Sequence, residues 1–297
     1  MRATKIGFVG LGQMGGNMAV RFLDAGYAVY GEEQNRAHAQ PLVEQGLRWR
    51  ETPRQVAEAT DVVFTSLPDD RVLEEVASGA DGLLAGLSAG KDWVEVSTVS
   101  PSVSRELAGR ARQREATMLD APVSGSVPQV KSGALTIMVG GDEDAYARVE
   151  PLLRVLGTPT RVGSNGQGLT LKLAINISLA VQMLAFAEGL LLAERSGLDR
   201  QLALDVMVNS PIGSPMLKAR AGIIFDLPDE AWFDIDFMKK DIELALATAR
   251  ELGVSLPTAE RADAILRRSE ALGYGRRDLA ALYDVLEQLA AERRQAD

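Results

Sequence analysis

The sequence "IGFVGLGQMGGNMA" at residues 6–19 decides the fold class. An apolar run leads into Gly10, Gly12 and Gly15, which have the spacing G-x-G-x-x-G, and a helical pattern follows them. In such a strand–turn–helix unit, the first glycine permits a tight turn and the second lets backbone amides approach a pyrophosphate. The third lets the helix pack on the strand. The stretch therefore predicts the first unit of a Rossmann-type domain.

The start of this helix and the next strand complete a predicted dinucleotide site. Gln13 and Met14 open the helix, whose N-terminus favours a phosphate. "AVYGEE" at residues 28–33 predicts a second strand that ends in acid, and Glu32 and Glu33 lie where a carboxylate can hold the ribose hydroxyls of adenosine. Such an acid repels a 2′-phosphate and so favours NAD over NADP, although the nearby Arg36 leaves NADP possible.

The first half of the chain alternates β-like and helical patterns. Six short β-like runs occur at residues 5–9, 28–31, 61–67, 93–97, 118–120 and 135–140. This alternation predicts a mostly parallel sheet covered by helices. The stretch "GTPTRVGSNGQG" at residues 157–168 is rich in turn formers, so it predicts a turn-rich connection, and no strand is predicted after it.

The second half of the chain has only helical patterns. They cover residues 167–196, 199–209, 236–252, 257–272 and 278–293. The predicted class is therefore α/β, with an N-terminal Rossmann-type doubly wound sheet over residues 1–165. An all-helical C-terminal domain over residues 166–297 follows, beginning with a long interdomain helix.

Composition excludes several kinds of function. The chain has 297 residues, a net charge of −9, no cysteine and one histidine. The negative charge argues against a nucleic-acid partner, and the missing cysteines exclude disulfides and thiolate metal sites. His38 lies in a polar segment without a ligand set, so we expect no metal site.

The long apolar run at residues 169–187 raises the question of a membrane. Because it contains Lys172, Asn176 and Gln182, we interpret it as a buried helix and not a membrane span. The N-terminal residues lack the pattern of a signal peptide. We therefore expect a cytoplasmic protein.

Three predicted strands end in small or hydroxylated residues. The stretches are "TSLPDD" at residues 65–70, "EVSTVSP" at 95–101 and "DAPVSGS" at 120–126, which we call the strand-end loops. Ligands of open parallel sheets bind beyond the carboxyl ends of the strands. Ordinary turn chemistry explains any one of these loops, but three at one edge favour a ligand site.

A lysine and an asparagine interrupt the apolar run "TLKLAINISL" at residues 170–179. Lys172 and Asn176 are four residues apart, so they share one face of a helix. The lysine either extends its ammonium to solvent or takes part in chemistry. In the second case, desolvation would lower its pKa from about 10.4 and suit it to accept an alcohol proton.

Taken in order, these motifs resemble those of the β-hydroxyacid dehydrogenase family. The resemblance covers almost the whole chain and rests on "GFVGLGQMGGNMA", "EVSTVSP", "DAPVSGS" with "GALTIMVGG", "GQGLTLKLAINISL" and "MKKDIELAL". It implies hydride transfer between a nicotinamide cofactor and a small β-hydroxy acid or the corresponding semialdehyde. It also implies a homodimer or homotetramer built on the helical domain.

The resemblance assigns roles to individual residues. It implies that Lys172 is the general acid/base with Asn176 beside it. Ser124 and Gly125, together with Ser126, would hold the carboxylate or sulfonate of the substrate. The implied cofactor-binding residues are Gly10, Gly12, Gln13, Met14, Gly15, Glu33, Leu67, Pro68, Thr98 and Lys240.

The chain departs from the family pattern at two places. Many members have a second glycine where this chain has Ser126, so the substrate pocket is expected to differ there. Members that use NADP commonly carry Asn-Arg where this chain has Glu33 and Gln34, which supports NAD.

Two other functions remain open at this point. Imine reduction occurs in relatives of this fold, but those relatives commonly lack a lysine at the position of Lys172. A non-catalytic NAD-binding sensor would bind the cofactor without turning over a hydroxy acid. The residues do not identify the substrate.

Overall fold

A computed structural model describes residues 4–296 of the chain. These residues form two compact units. The first unit ends at Lys172 and the second begins at Leu173, within one continuous helix.

The first unit is built on a nine-stranded sheet. Its strands are β1 (Lys5–Val9), β2 (Ala28–Glu32), β3 (Arg48–Trp49), β4 (Val62–Thr65), β5 (Asp92–Glu95), β6 (Thr117–Asp120), β7 (Val123–Ser124), β8 (Leu135–Gly140) and β9 (Gly157–Gly163). The order is β3-β2-β1-β4-β5-β6-β8-β7, and β9 pairs with β8. Strands β1 to β6 are parallel, whereas β8 is antiparallel to β6 and β7. This parallel-dominated sheet confirms the predicted α/β class.

The stretch at residues 157–168 corrects one prediction. It was predicted to be a turn-rich connection, yet Gly157–Gly163 forms β9, parallel to β8. Thr158, Thr160 and Val162 are β-branched and favour an extended chain. Pro159 is tolerated because β9 pairs only with β8, so its missing N–H costs no hydrogen bond on the free side.

Helices cover the sheet and make up the second unit. The first unit contains α1 (Gln13–Asp24), α2 (Arg36–Glu44), α3 (Pro53–Ala59), α4 (Asp70–Ala77), α5 (Leu83–Gly86), α6 (Pro101–Arg112), α7 (Val127–Ser132) and α8 (Glu143–Leu156). They are followed by α9 (Gln167–Arg195), α10 (Arg200–Asn209), α11 (Pro215–Ala221), α12 (Ile235–Leu252), α13 (Pro257–Ala271), a 3₁₀ turn (Leu279–Ala281) and α14 (Leu282–Ala296). The predicted helical second half is confirmed, and the short α11 was not predicted.

Acidic residues begin several of these helices. The side chains of Asp142, Asp199 and Asp234 each accept a hydrogen bond from the backbone N–H three residues later. This satisfies an amide that the helix itself leaves unpaired. Gly253, in the left-handed conformation with φ +68°, ends α12.

Each unit has its own apolar core. In the first, Phe8, Phe22 and Phe64 pack against one another with ring centroids 5.1–5.8 Å apart, and a second cluster around Trp93 fills the other face. In the second unit, α9 residues such as Met183 and Leu190 pack with α12 and α13.

Helix α9 is apolar along most of its length. Within the described residues it is the one helix whose length and composition would allow it to span a membrane, a test that core helices of soluble proteins also pass. In its most apolar 18-residue window, 39% is buried in the single chain.

Candidate active site

The glycine loop between β1 and α1 is closely packed against the protein at Gly10 and Gly15 and has open space at Gly12. Gly10 has φ +88°, and a Cβ there would lie 2.3 Å from the carbonyl oxygen of Ser66. A Cβ at Gly15 would lie 2.1 Å from the carbonyl oxygen of Gly10. A Cβ at Gly12, in contrast, would meet no atom within 4 Å. The loop can therefore bring its backbone against a ligand above Gly12.

The N-terminus of α1 offers unpaired amides to that space. Gly12 is the N-cap and supplies no side-chain hydrogen bond, and the first turn, which opens with Gln13 and Met14, contains no acid. The first amides of a helix need an acceptor, and the helix dipole favours an anion there. The loop and helix therefore fit the pyrophosphate of a dinucleotide.

The structure places the acid at the end of β2 against the glycine loop. Glu33 accepts hydrogen bonds from the backbone N–H groups of Leu11 at 2.7 Å and Asn35 at 3.2 Å. Burial, with a smaller contribution from Glu33, raises the pKa of Glu32 to about 7. Acidic groups thus border the loop where the ribose of an adenosine would bind.

Hydrogen bonds join the first two strand-end loops. The backbone N–H of Leu67 donates to Ser97 Oγ at 2.6 Å, and the N–H of Ser100 donates to Asp70 at 2.7 Å. Because Ser66 packs under Gly10, the glycine loop and both strand-end loops form one surface at the carboxyl edge of the sheet. Pro68 is exposed and Thr98 is half-buried on these loops.

A buried acid supports this surface from below. Glu95, at the end of β5, is wholly buried and accepts hydrogen bonds from the Thr65 hydroxyl and, at 2.6 Å, from the N–H of Ser97. Burial raises its pKa to about 7, although the hydrogen bonds from Ser97 and Thr65 act in the opposite direction.

The third strand-end loop requires a glycine. Gly125 has φ +130°, and a Cβ there would lie 2.8 Å from Leu135 Cδ2. Ser124 ends β7 and is half-buried. The N–H and hydroxyl of Ser126 both donate to Gln129 Oε1, at 2.9 and 3.0 Å, so the Ser126 side chain is engaged at the start of α7.

Lys172 lies one turn into α9, at the end of the first unit. Its side chain is largely buried, with 9% of the residue exposed. Asn176 follows four residues later on the same helix face and is 1% exposed. A buried lysine beside a buried amide does not fit an ammonium that simply extends into solvent.

In the second unit, α9 and α12 bring together an amide, an acid and an ammonium. Asn176 Nδ2 donates to Asp241 Oδ2 at 2.5 Å, and Lys240 Nζ lies 2.8 Å from Asp241 Oδ1. The approach of Lys240 makes an ion pair without hydrogen-bond geometry. Asn176 Oδ1 is buried with no hydrogen-bond partner among the described residues, so it is available to a ligand donor.

Two family models cover this chain. One, the NAD binding domain of 6-phosphogluconate dehydrogenase, matches residues 5–166, and the other, NAD-binding of NADP-dependent 3-hydroxyisobutyrate dehydrogenase, matches residues 166–286. The chain belongs to the β-hydroxyacid dehydrogenase family.

Several relatives are similar to this chain over almost their full length. A 2-(hydroxymethyl)glutarate dehydrogenase of Eubacterium barkeri is 36% identical, over 97% of this chain and 96% of that protein. A 2-hydroxy-3-oxopropionate reductase of Escherichia coli is 34% identical, over 96% and 98%. The structure of Mycobacterium tuberculosis 3-hydroxyisobutyrate dehydrogenase with L-serine has a TM-score of 0.84 at 29% identity, covering 96% and 99%.

These comparisons confirm the predicted class of enzyme. The chain is an NAD(P)-dependent oxidoreductase that acts on the CH–OH group of hydroxy acids. Imine reductases share the fold at lower similarity: one from Pseudomonas sp. has a TM-score of 0.63 over 96% of this chain, at 24% identity.

Several residues of the site were not predicted to belong to it. Asp241 was recognised only as the neighbour of Lys240, although an acid beside a lysine on an amphipathic helix is a signal for a held side chain. Glu95 and Ser97 lie in a stretch predicted to approach the cofactor, but the sequence does not show that they bond to each other and to Leu67.

Proposed function

We propose that this enzyme oxidises 2-substituted 3-hydroxypropanoates, or reduces the matching semialdehydes, with Lys172 as the general acid/base. The main observation in support is that Lys172 is buried on a helix face that it shares with Asn176, whose amide is hydrogen-bonded to Asp241. In the oxidation, a nicotinamide cofactor would supply the acceptor for the hydride that leaves the alcohol carbon. Lys172, in its neutral form, takes the hydroxyl proton and returns it in the reverse reaction.

The substrate class follows from what the relatives' names have in common. 3-Hydroxyisobutyrate, 2-(hydroxymethyl)glutarate and L-serine each carry a hydroxymethyl group on the carbon next to a carboxylate, and 2-hydroxy-3-oxopropionate is an aldehyde of the same pattern. The three alcohols differ only in the substituent on that carbon. We infer that this enzyme recognises the shared carboxylate and hydroxymethyl group.

Ser124 and Gly125 are proposed to bind the substrate carboxylate. The hydroxyl and the crowded glycine backbone lie at the end of a strand, where both can donate hydrogen bonds to an anion. We propose that Ser126 lies beside the substrate carboxylate but that its hydroxyl contributes little to binding, because that hydroxyl donates to Gln129.

Asn176 is proposed to orient the reacting oxygen. Its Nδ2 is held by Asp241, so its Oδ1 keeps one direction and can accept from a substrate hydroxyl. Lys240, paired with Asp241, is proposed to reach the cofactor.

NAD is the proposed cofactor, with NADP as a weaker alternative. Glu33 borders the glycine loop and would repel a 2′-phosphate. Gly10, Gly12, Gln13, Met14, Gly15, Leu67, Pro68 and Thr98 are proposed to line its site. Steady-state rates with both cofactors test the preference, and a tenfold advantage for NADP would contradict it.

Lys172→Met tests the proposed role of the lysine. The change keeps an apolar stem in a buried position and removes the ammonium, so we expect kcat to fall by about 10²- to 10⁴-fold. Asn176→Ala should be milder, since it removes orientation and not the proton acceptor. The measurements are kcat for 3-hydroxyisobutyrate, 2-(hydroxymethyl)glutarate, glycerate and L-serine, with the Kd of NAD as a folding control.

The same experiment separates the alternatives. A Lys172→Met enzyme that keeps more than a tenth of wild-type kcat, a loss below about 1.4 kcal/mol, would remove the lysine from the mechanism. NAD binding without turnover of any of the four acids by the wild-type protein would favour a non-catalytic sensor.

We also propose a homodimer or homotetramer in the cytoplasm, with the cofactor domain at residues 1–165 and the helical domain at 166–297. Assembly is supported by apolar side chains exposed on the second unit, among them Leu192 at 74% and Val206 at 62%. Light scattering that finds an active monomer of 31.9 kDa would contradict the assembly.

A further inference from the structure

A buried carboxylate holds the first turn of the helix that carries Lys172. Asp120, the last residue of β6, is wholly buried. Its Oδ1 accepts a hydrogen bond from the backbone N–H of Gly166 at 2.7 Å, and its Oδ2 accepts from the N–H of Leu169 at 3.1 Å. Both amides lie at the start of α9, where a helix has no acceptors of its own. Asp120 is therefore a helix cap supplied by a distant strand.

The surroundings of Asp120 leave little freedom for this contact. A Cβ at Gly140 would lie 2.6 Å from Asp120 Oδ2, and a Cβ at Gly168 would lie 2.8 Å from the same atom. The Gly168 Cβ would also lie 2.4 Å from the carbonyl oxygen of Met138. The missing side chains thus let α9 approach the sheet closely enough for the carboxylate to reach its amides.

Further contacts hold the end of β6 and the segment before α9. Asn165 Nδ2 donates to the carbonyl oxygen of Met118 at 2.9 Å, and the Ser104 hydroxyl lies 3.4 Å from Asp120 Oδ1. Burial raises the pKa of Asp120, while the Gly166 and Leu169 amides favour its charged form. The acid is thus kept in place by donors from the loop before α9 and from the helix itself.

Lys172 is one helical turn beyond these fixed points. It follows Leu169 by three residues, about 4.5 Å along the axis, and shares a face with Gly168 four residues earlier. A rigid first turn transmits its position to the lysine stem, because successive turns of a helix are joined by hydrogen bonds.

We propose that Asp120 is a positioning residue, which acts through the first turn of α9 to set the place of Lys172 relative to the carboxyl edge of the sheet. The inference rests on the proposed role of Lys172. It predicts that loss of the Asp120 contacts harms the chemical step and leaves the cofactor site intact, since Gly10 to Gly15 lie in the loop after β1 and the first turn of α1.

Asp120→Asn is the direct test. The amide keeps the size of the carboxylate, but Gly166 and Leu169 donate to different carboxylate oxygens, so the NH2 group of asparagine would face one of the two N–H donors. We expect kcat to fall at least tenfold, the Kd of NAD to stay within twofold, and hydrogen exchange in a peptide covering residues 166–172 to accelerate. Asp92→Asn is the matched control, because Asp92 is also a buried acid of the sheet but bonds to Arg148. It should lower the melting temperature and keep kcat within twofold.

Gly168→Ala should displace the first turn of α9 from the sheet by a second route, while Asp120 is kept. It should lower kcat at least tenfold, and the double variant should lose less than the product of the two single losses, because both changes disturb one contact. If Asp120→Asn fails to fold, Gly168→Ala alone decides the question.

Three outcomes would overturn the proposal. They are a kcat within twofold of wild type in a folded Asp120→Asn or Gly168→Ala enzyme, a parallel loss of kcat and NAD affinity, and unchanged exchange at residues 166–172. Lys172→Met distinguishes the two levels of inference. An active Lys172→Met enzyme defeats the proposed function and this inference with it, whereas an inactive Lys172→Met beside a fully active Asp120→Asn defeats this inference alone.

Discussion

Two buried acids, one in each unit, lie next to proposed functional groups and are held in opposite ways. Glu95 supports the strand-end loops of the first unit, and its hydrogen-bond partners, Thr65 and Ser97, are uncharged. Asp241 in the second unit lies 2.8 Å from the ammonium of Lys240 and holds the amide of Asn176. Among the residues that the structure describes, no cation pairs with Glu95, whereas Asp241 is paired with Lys240.

The difference separates two kinds of support. Without a cation, desolvation dominates at Glu95 and brings its pKa to about 7, so the layer beneath the strand-end loops has a group that changes charge near neutral pH. At Asp241, the carboxylate holds the side chains of Asn176 and Lys240, both of which are proposed functional residues. We therefore expect damage at Asp241 to appear in turnover, and damage at Glu95 to appear in stability as a function of pH.

Of the changes that test this comparison of the two acids, Asp241→Asn should have the largest effect. The change removes the partner charge of Lys240 and lets the Asn176 amide turn, so we expect kcat to fall about 100-fold, as misplaced reacting groups do. Steady-state kinetics measure it. Asp263→Asn, which removes an acid paired with Arg267 on α13, is the control and should leave kcat within twofold. A near-normal kcat in Asp241→Asn would mean that this pairing serves the fold alone.

The second prediction concerns the pH dependence of stability. Unfolded Glu95 loses its proton near 4.5, while the folded protein retains it until about 7. Folding therefore loses stability as the pH rises between these values. We expect the ionisation of Glu95 to lower the free energy of unfolding by about 2 kcal/mol between pH 5 and 7.5, since each pKa unit corresponds to about 1.4 kcal/mol.

Urea unfolding of wild type and Glu95→Gln across this range measures the effect. The variant should lack this loss, whereas Glu75→Gln, at an exposed pair with Arg71, should keep the wild-type slope. Asp120 on the neighbouring strand is the charged group that opposes ionisation of Glu95. Parallel curves for wild type and Glu95→Gln would show that Glu95 does not titrate in this range.

The smallest expected effect is on substrate binding at the third strand-end loop. Ser124→Ala removes one hydrogen bond to the proposed carboxylate, so KM for the hydroxy acid should rise about tenfold, or about 1.4 kcal/mol, while KM for NAD stays constant. Ser132→Ala, at an exposed hydroxyl that bonds to Pro128, should change neither. Equal increases in both KM values would assign the loop to the cofactor.

The sequence predicted the elements of this fold better than their connections. Alternating apolar runs and helix starts marked most elements, and β1 and β8 have their predicted bounds. Strand β9 was not predicted because glycine and proline generally form turns, and this segment is extended through its pairing with β8. Short strands such as β3 carry too few residues for a period to be visible.

The candidate site shows the same division. Glycine spacing, strand-end polarity and a lysine in an apolar helix are local patterns, so they could be recognised without coordinates. Glu95, Asp120 and Asp241 each also bond to a distant residue, 30, 49 and 65 positions away respectively, and this pairing depends on register and helix packing. No local pattern distinguishes such acids from those that begin a turn.

The bonds around Thr65 also provide an optical signal. Trp93 is wholly buried and donates its indole N–H to Thr65 Oγ1 at 2.7 Å, and the Thr65 hydroxyl donates to Glu95. A change in the charge of Glu95 alters the electric field at the indole. With Trp49 and Trp232 replaced by phenylalanine, Trp93 is the remaining tryptophan. Its emission then becomes an intrinsic fluorescent reporter of the layer beneath the strand-end loops.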